Sequence, residues 1–255
     1  MTSSLRPQTQ QPSQSRTALV TGAGKGIGAA IARRLAADGF AIIVNYARDT
    51  ASAARVVDAI ADAGGRARAV EGDVADPETM PALFDAAEAA FGPVSVLVNN
   101  AGILRTAPLT EATEEDFAAQ SRINSASALF GMQLAARRMP DGGRIINLSS
   151  SVVRLSLPGY GLYAASKAAV EAMTPILAKE LGSRRITVNA IAPGPIATDL
   201  FLDGKSEELI AGITRMIPLG RLGLPEDIAA VASFLAGPDG GWINGQVLRA
   251  NGGMA

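Results

Sequence analysis

The chain has no cysteine and no histidine among its 255 residues. The first absence excludes disulfides, thiolate nucleophiles and cysteine-ligated zinc. The second removes the commonest general base and the commonest transition-metal ligand. Acid–base chemistry is therefore left to tyrosine, lysine, aspartate or glutamate. Aromatic residues are scarce, at 4%, and no run approaches the ~18 apolar residues of a membrane span. Excess charge is missing too: 23 Lys and Arg oppose 24 Asp and Glu, a formal net charge of −1. That balance gives no reason to expect nucleic acid or an anionic membrane as a partner.

What is abundant is small and apolar. Apolar residues make up 48% of the chain, alongside 27 glycines, a composition suited to helices packed closely on a parallel sheet. Residues 1–15 (MTSSLRPQTQQPSQS) are rich in Ser, Gln and Pro. With no secretory h-region, they read as a disordered tail ahead of one domain spanning 16–255, and the cytoplasm is the expected location.

From Thr17 onward, short apolar runs alternate with longer helical patterns. The runs predict strands at Thr17–Thr21, Ala41–Tyr46, Ala67–Glu71, Val94–Val98, Arg144–Ser149, Ile186–Ile191 and Gln246–Arg249. They are mostly unbroken, as expected for strands covered on both faces. Helices are predicted at Ala51–Ala63, Pro77–Phe91, Thr113–Arg137, Gly161–Leu181 and Pro225–Leu235. Another is marked by Ile27, Ile31 and Leu35, with Gly39 as its stop. Gly182 is the expected C-cap of the fifth, and Pro175 is expected to bend that helix. The alternation predicts an α/β, Rossmann-type doubly wound sheet. Phe201–Met216 interrupts the rhythm and reads as a helical lid over the site.

The first strand runs into Thr21-Gly22-Ala23-Gly24-Lys25-Gly26-Ile27-Gly28 and then a helix. Glycines there permit a tight turn and close approach of a pyrophosphate to backbone N–H groups, and the helix N-terminus favours its charge. Glycine clusters have many uses, so the strand–turn–helix context carries the reading. NAD enzymes of this architecture place a carboxylate about 20 residues beyond the glycines. Here the second strand ends Asn45-Tyr46-Ala47-Arg48, with no carboxylate within it. Lys25 and Arg48 offer positive charge to a 2′-phosphate instead, unless both are ordinary solvated cations. NADP(H) is thus favoured over NAD. Asp73, followed by Val74, suits either an adenine amino group or a capping turn.

Tyr163 and Lys167 are four apart after the breaker Pro158-Gly159, on one face of a helix. A phenol titrating near pH ~10 needs about 4 kcal/mol to work near neutrality. An ammonium about 4 Å away at an effective dielectric of ~20 supplies that much, so Lys167 is expected to poise Tyr163. Ser150, at the carboxyl end of the fifth strand, is placed to hold a substrate oxygen, with Ser149 and Ser151 as neighbours open to confusion. Asn124 lies inside an apolar helical pattern, where asparagine is disfavoured. It serves either to anchor a water next to Lys167 or to bridge a helix kink.

These stretches, with Asn99-Asn100-Ala101-Gly102 and Asn189–Thr198, resemble the short-chain dehydrogenase/reductase family over nearly all of 16–253. The resemblance implies a seven-stranded parallel sheet and a catalytic set of Asn124, Ser150, Tyr163 and Lys167. In that set Tyr163 is the acid/base, Ser150 orients substrate, Lys167 binds the nicotinamide ribose, and Asn124 holds a relay water. It also implies Asn100, Ala101 and Gly102 beside the cofactor, Pro193, Gly194, Ile196 and Thr198 around the carboxamide, and Asp73 and Val74 at adenine. Leu219–Asp227 and Gly245–Gly253 look like the subgroup of 3-oxoacyl-carrier-protein reductases and sugar or ketone reductases, whose members are usually homotetramers. Enoyl reductases resembling this family separate the tyrosine and lysine by six residues, against three here. The expected substrate is a small carbonyl or alcohol, walled by Val152, Leu157, Tyr160, Leu162, Phe201 and Trp242. A ketone comes first, a 3-oxoacyl thioester second, and a non-catalytic NADP-binding sensor last.

Overall fold

Unbroken apolar strands need cover on both faces, and the chain supplies it by returning through a helix after each strand. The computed structural model describes residues 16–255, so the expected tail at 1–15 lies outside the described residues. Strands β1 (Thr17–Val20), β2 (Ala41–Tyr46), β3 (Arg66–Glu71), β4 (Val94–Asn99), β5 (Arg144–Leu148), β6 (Thr187–Pro193) and β7 (Val247–Ala250) form one seven-stranded sheet, ordered β3-β2-β1-β4-β5-β6-β7. Every pairing is parallel. The direction of build-out reverses between β1 and β4, where the carboxyl ends splay into a crevice.

Side-chain alternation along the strands divides the core in two. Ala18, Val20, Ile42, Val44, Val96 and Val98 pack on one side against α1 (Gly26–Ala37), α2 (Thr50–Asp62) and a C-terminal helix. Leu19, Ile43, Leu97, Ile145 and Val188 face α3 (Thr79–Phe91) and two central helices on the other. Burying a side chain of this size contributes roughly 1.5–3 kcal/mol, so register is strongly specified. Leu19, opposite both Ile43 and Leu97, is fully buried.

The expected long helix over Thr113–Arg137 is instead three pieces: α4 (Glu114–Gln120), a π-helical turn (Ser121–Ala126) and α5 (Ser127–Arg138). Thr113 caps α4 through Asp116 N. The wide turn falls where Asn124 points inward, and Ser125 and Ser127 hydroxyls donate to Ser121 O and Ile123 O within it. Turns of this type recur at functional sites.

After β5 come the short α6 (Val152–Leu155) and the long α7 (Gly161–Glu180), which continues through Pro175 without interruption. Gly182 is not the expected left-handed cap. It opens a 3-10 turn, and the left-handed position falls on Arg185, φ 56°. The cause is Arg184, whose guanidinium donates to Ala136 and Met139 carbonyls at the end of α5 and pins the turn there. The region expected to form a lid contains α8 (Asp199–Leu202) and α9 (Glu207–Arg215), followed by α10 (Pro225–Ala236). No residue of α8 or α9 is buried.

Candidate active site

The glycine turn sits at the carboxyl end of β1. Gly22 and Gly26 have φ of +61° and +55°, a region costly for any side chain. Gly28 has no such φ, yet a Cβ there would lie 2.5 Å from both Gly22 O and Asn100 Nδ2. Asn100 ties β4 to the turn by donating to Thr21 O (2.9 Å) and Gly22 O (3.1 Å), and its own N–H donates to Thr21 Oγ1 (3.0 Å). Asn45 was expected at the cofactor but does not line the cleft. It is buried beneath the turn, accepting from Gly22 N and donating to Gly72 O at 3.0 Å. Gly28→Ala is expected to destabilise the fold by roughly 1–3 kcal/mol, the usual cost of overpacking, and to abolish tight dinucleotide binding. Denaturant unfolding and a fluorescence titration with NADPH check both effects.

At the adenosine end, Lys25, Tyr46, Arg48, Asp73 and Val74 line the cleft, as do Asp49 and Ser52. Lys25 and Arg48 are exposed. Asp73 already accepts from Ala75 N at 3.0 Å, so at least one of its oxygens serves a turn. Asp49 escaped the sequence reading although it lies 21 residues past Gly28, inside the expected window. Its carboxylate caps α2 by accepting from Ser52 N (2.9 Å) and Ser52 Oγ (2.6 Å). These bonds, with lesser help from Arg55 and Lys25, hold it below the usual carboxylate range. The capping work makes Asp49 part of the helix end rather than a free ribose ligand.

The other end of the same cleft holds Ser150, Tyr163 and Lys167. Ser150 follows β5, accepts from Val152 N at 3.3 Å, and lies near enough to the Tyr163 phenol for its hydroxyl to favour the phenolate. Ser149 and Ser151 are buried with their hydroxyls committed elsewhere, to Glu171 Oε1 (2.8 Å) and Ala192 O (3.1 Å). Of the three serines, Ser150 is the one whose hydroxyl is not tied to Glu171 or to a β6 carbonyl. Lys167 is 4% exposed and donates to Leu148 O at 2.8 Å. A Cβ on Gly102 would lie 3.4 Å from Lys167 Nζ and 3.2 Å from Asn124 Oδ1. Asn124, also buried, accepts from Ile103 N (2.8 Å) and donates to Ile103 O (2.9 Å) and Ser166 Oγ (3.0 Å). Ser166 in turn donates to Tyr163 O at 2.7 Å. Asn124 therefore joins the π-turn, the loop after β4 and the helix bearing Tyr163, and both its amide hydrogens are spent.

Lys167 is expected to poise Tyr163 together with the charge of an oxidised nicotinamide; without a cofactor, burial dominates at the phenol. Burial pushes Tyr163 up to about 12, against a smaller lowering by the Ser150 hydroxyl and a minor further rise from Tyr160. Burial likewise pushes Lys167 down to about 8. The ammonium lies 5.8 Å from the ring centroid and is engaged with a carbonyl, so loss of hydration outweighs its field at the phenol.

The substrate wall is partly as expected. Val152, Leu157, Tyr160 and Phe201 line the cleft, joined by Leu155, Leu200, Ile213 and Met216. Leu162 and Trp242 do not. Leu162 precedes Tyr163 on α7 and so points about 100° away from it. Trp242, 96% exposed, ends the 3-10 turn Asp239–Trp242 before β7. Ile103, Leu104 and Met254 line the cleft without any sequence signal, because loop paths brought them there.

The cleft has a volume of about 970 Å³ and takes in the glycine turn and Tyr163 together. Every cofactor residue expected from sequence except Asn45 lies on it, including Ile27, Ala101, Pro193, Gly194, Ile196 and Thr198. A side chain at Gly28 would collide with its surroundings and one at Gly22 would be tight and strained, so the turn could hold a pyrophosphate against its backbone. Among the described residues no cluster of acids could hold a metal ion, and no helix is long and apolar enough to cross a membrane.

Fold and cleft together define a dinucleotide-binding oxidoreductase. The model of a family described as enoyl-(acyl carrier protein) reductase matches residues 22–255. A chloroplastic NADPH-dependent aldehyde reductase-like protein of Arabidopsis thaliana is 45% identical over 95% of both chains. A short-chain type dehydrogenase/reductase of Picea abies is 43% identical, covering 94% of this chain and 92% of its own. A solved blue fluorescent protein from a metagenomic library, in complex with NADPH, superposes with a TM-score of 0.89 at 42% identity, over 94% and 98% of the two chains. The chain belongs to the short-chain dehydrogenase/reductase family.

Proposed function

We propose that the chain is an NADPH-dependent carbonyl reductase interconverting a small ketone or aldehyde and its alcohol, with Tyr163 as the acid/base. The observation that carries this reading is that Ser150, Tyr163 and Lys167 line one end of the cleft whose other end is the glycine turn. A carbonyl oxygen seated between the two hydroxyls accepts a proton from the phenol while Ser150 holds it in place. NADPH, when bound, supplies the hydride and leaves a positive charge that helps to acidify the phenol. Lys167, one turn along α7 and on the same cleft, would bind the nicotinamide ribose, and Asn124 fixes the loop and helix that flank it. Any relay water held by the Asn124 side chain must use Oδ1.

NADP over NAD is supported by Lys25 and Arg48 on the adenosine end and by the NADPH named for two similar proteins. Lys25→Ala is expected to weaken NADPH by roughly 1–3 kcal/mol, the scale of a charge-assisted bond, with NADH little changed. Equal losses for both cofactors in a binding titration would refute that role. A homotetramer is supported by exposed Phe117, Phe130 and Ile176, which lie on α4, α5 and α7.

A second reading, reduction of a 3-oxoacyl thioester, is favoured by the acyl carrier protein in the matched family's description. The test is NADPH oxidation with aryl ketones, diketones, aldoses and an acetoacetyl thioester. The apolar wall predicts fastest turnover with ketones. A strong thioester preference supports the second reading. Inactivity throughout, despite tight NADPH binding, would make the chain a cofactor sensor.

A further inference from the structure

The two serines beside Ser150 are anchored by residues that the chemistry itself does not require. Ser149 donates to Glu171 Oε1 at 2.8 Å. Glu171 lies one turn beyond Lys167 on α7, its side chain 15% exposed, and its other oxygen is 3.9 Å from Arg249 of β7. On the far side, Ser151 Oγ accepts from Asn251 Nδ2 at 3.1 Å. Asn251 follows β7 directly, is buried, and also donates to Ala255 O at 3.0 Å.

Both brackets therefore lead to one place, the end of β7. Among the described residues that strand pairs with β6 alone and lies at the sheet edge. Backbone bonds from Ser149 N to Ile191 O (2.7 Å) and Ser151 N to Pro193 O (2.9 Å) set the path of the segment. The side-chain brackets set how it is rotated about that path. A hydroxyl that must meet a phenol and a substrate oxygen together tolerates little rotation.

We propose that Glu171 and Asn251 are positioning residues, holding Ser149 and Ser151 so that the intervening Ser150 hydroxyl faces Tyr163. The proposal rests on the reading of Ser150 and Tyr163 as the reacting pair. Glu171 does not line the cleft and acts through Ser149. Its removal is felt as a loosened Ser150, with the phenolate less well stabilised.

The experiment compares Ser149→Ala, Glu171→Ala, Glu171→Gln, Asn251→Ala and the double variant Ser149→Ala/Glu171→Ala with Ser150→Ala as reference. Turnover and KM are measured for a ketone and NADPH, with the pH profile of alcohol oxidation. Glu171→Ala and Asn251→Ala are each expected to lower kcat about five- to tenfold, the scale of one lost hydrogen bond. The alkaline midpoint moves up, and KM for NADPH is unchanged. Glu171→Gln, whose amide oxygen still accepts from Ser149, recovers most of the loss and guards against a folding defect. In the double variant the two losses do not multiply. Multiplying losses, an unmoved pH midpoint, or an effect confined to thermal stability would overturn the proposal while leaving Ser150 in place. Wild-type turnover in Ser150→Ala would overturn both the proposal and the reading beneath it.

Discussion

Tyr163→Phe is expected to lower ketone reduction by about 10²–10⁴-fold, the worth of a positioned proton donor, while NADPH affinity stays close to wild type. The ring remains to fill its place, so only the hydroxyl is lost. Burial holds that hydroxyl protonated to about pH 12 in the free protein, which suits a donor in the reductive direction at neutral pH. In the oxidative direction the same group must lose its proton, so alcohol oxidation rises with pH until the phenol of the cofactor-bound enzyme has titrated. Stopped-flow NADPH oxidation, paired with a binding titration, separates the two effects. A variant retaining more than a tenth of wild-type turnover would assign the proton to another group.

Lys167→Met is expected to yield a protein that is more stable and inactive. Lys167 falls from 10.5 in the unfolded chain to about 8 in the folded one, a difference worth about 3 kcal/mol. That penalty is fully present below pH 8, shrinks between about 8 and 10.5, and vanishes above. Stability therefore rises with pH across this window, where the unfolded chain binds the extra proton. Methionine removes the penalty but takes the Lys167 donor from Leu148 O, which costs about 1–3 kcal/mol. A net gain of up to about 2 kcal/mol at neutral pH follows, measurable by denaturant unfolding. Tyr163 works oppositely at higher pH. Its folded value of about 12 against 10.0 unfolded makes stability fall between those limits, and Tyr163→Phe removes that fall. An equal loss of stability in Lys167→Met at every pH would show that the amine is bound as a favourable partner, contrary to this account.

Much of the architecture was legible because each level of the sequence agreed with the next. The strands were found to within a residue or two at each end, since unbroken β-branched runs report burial on two faces. The glycine turn and the Tyr163–Lys167 spacing were visible as local patterns. What stayed hidden depends on contacts between distant segments. Asn124 looked misplaced in a helix because its partners, Ile103 and Ser166, are remote in sequence, and the widened turn exists to serve them. Asn45 looked like a ligand because it ends a strand at the cleft, yet its amide is drawn inward by Gly22 and Gly72. Asp49 lies past the strand end, and Glu171 stands four residues beyond a lysine, the spacing of an ordinary surface pair, so neither role shows in the local pattern. The burial around Tyr163 is hidden for a similar reason: spacing reports proximity to a cation, whereas dehydration is a property of the assembled fold.

The segment carrying α8 and α9 has a different bearing. Leu200, Leu209 and Met216 there are more than half exposed, while Phe201 and Ile213 look into the cleft. Substitutions in such a stretch perturb neither half of the core, so a descendant lineage could exchange its preferred alcohol for another without first acquiring compensating changes elsewhere. Substrate range and foldability are inherited here on separate parts of the chain.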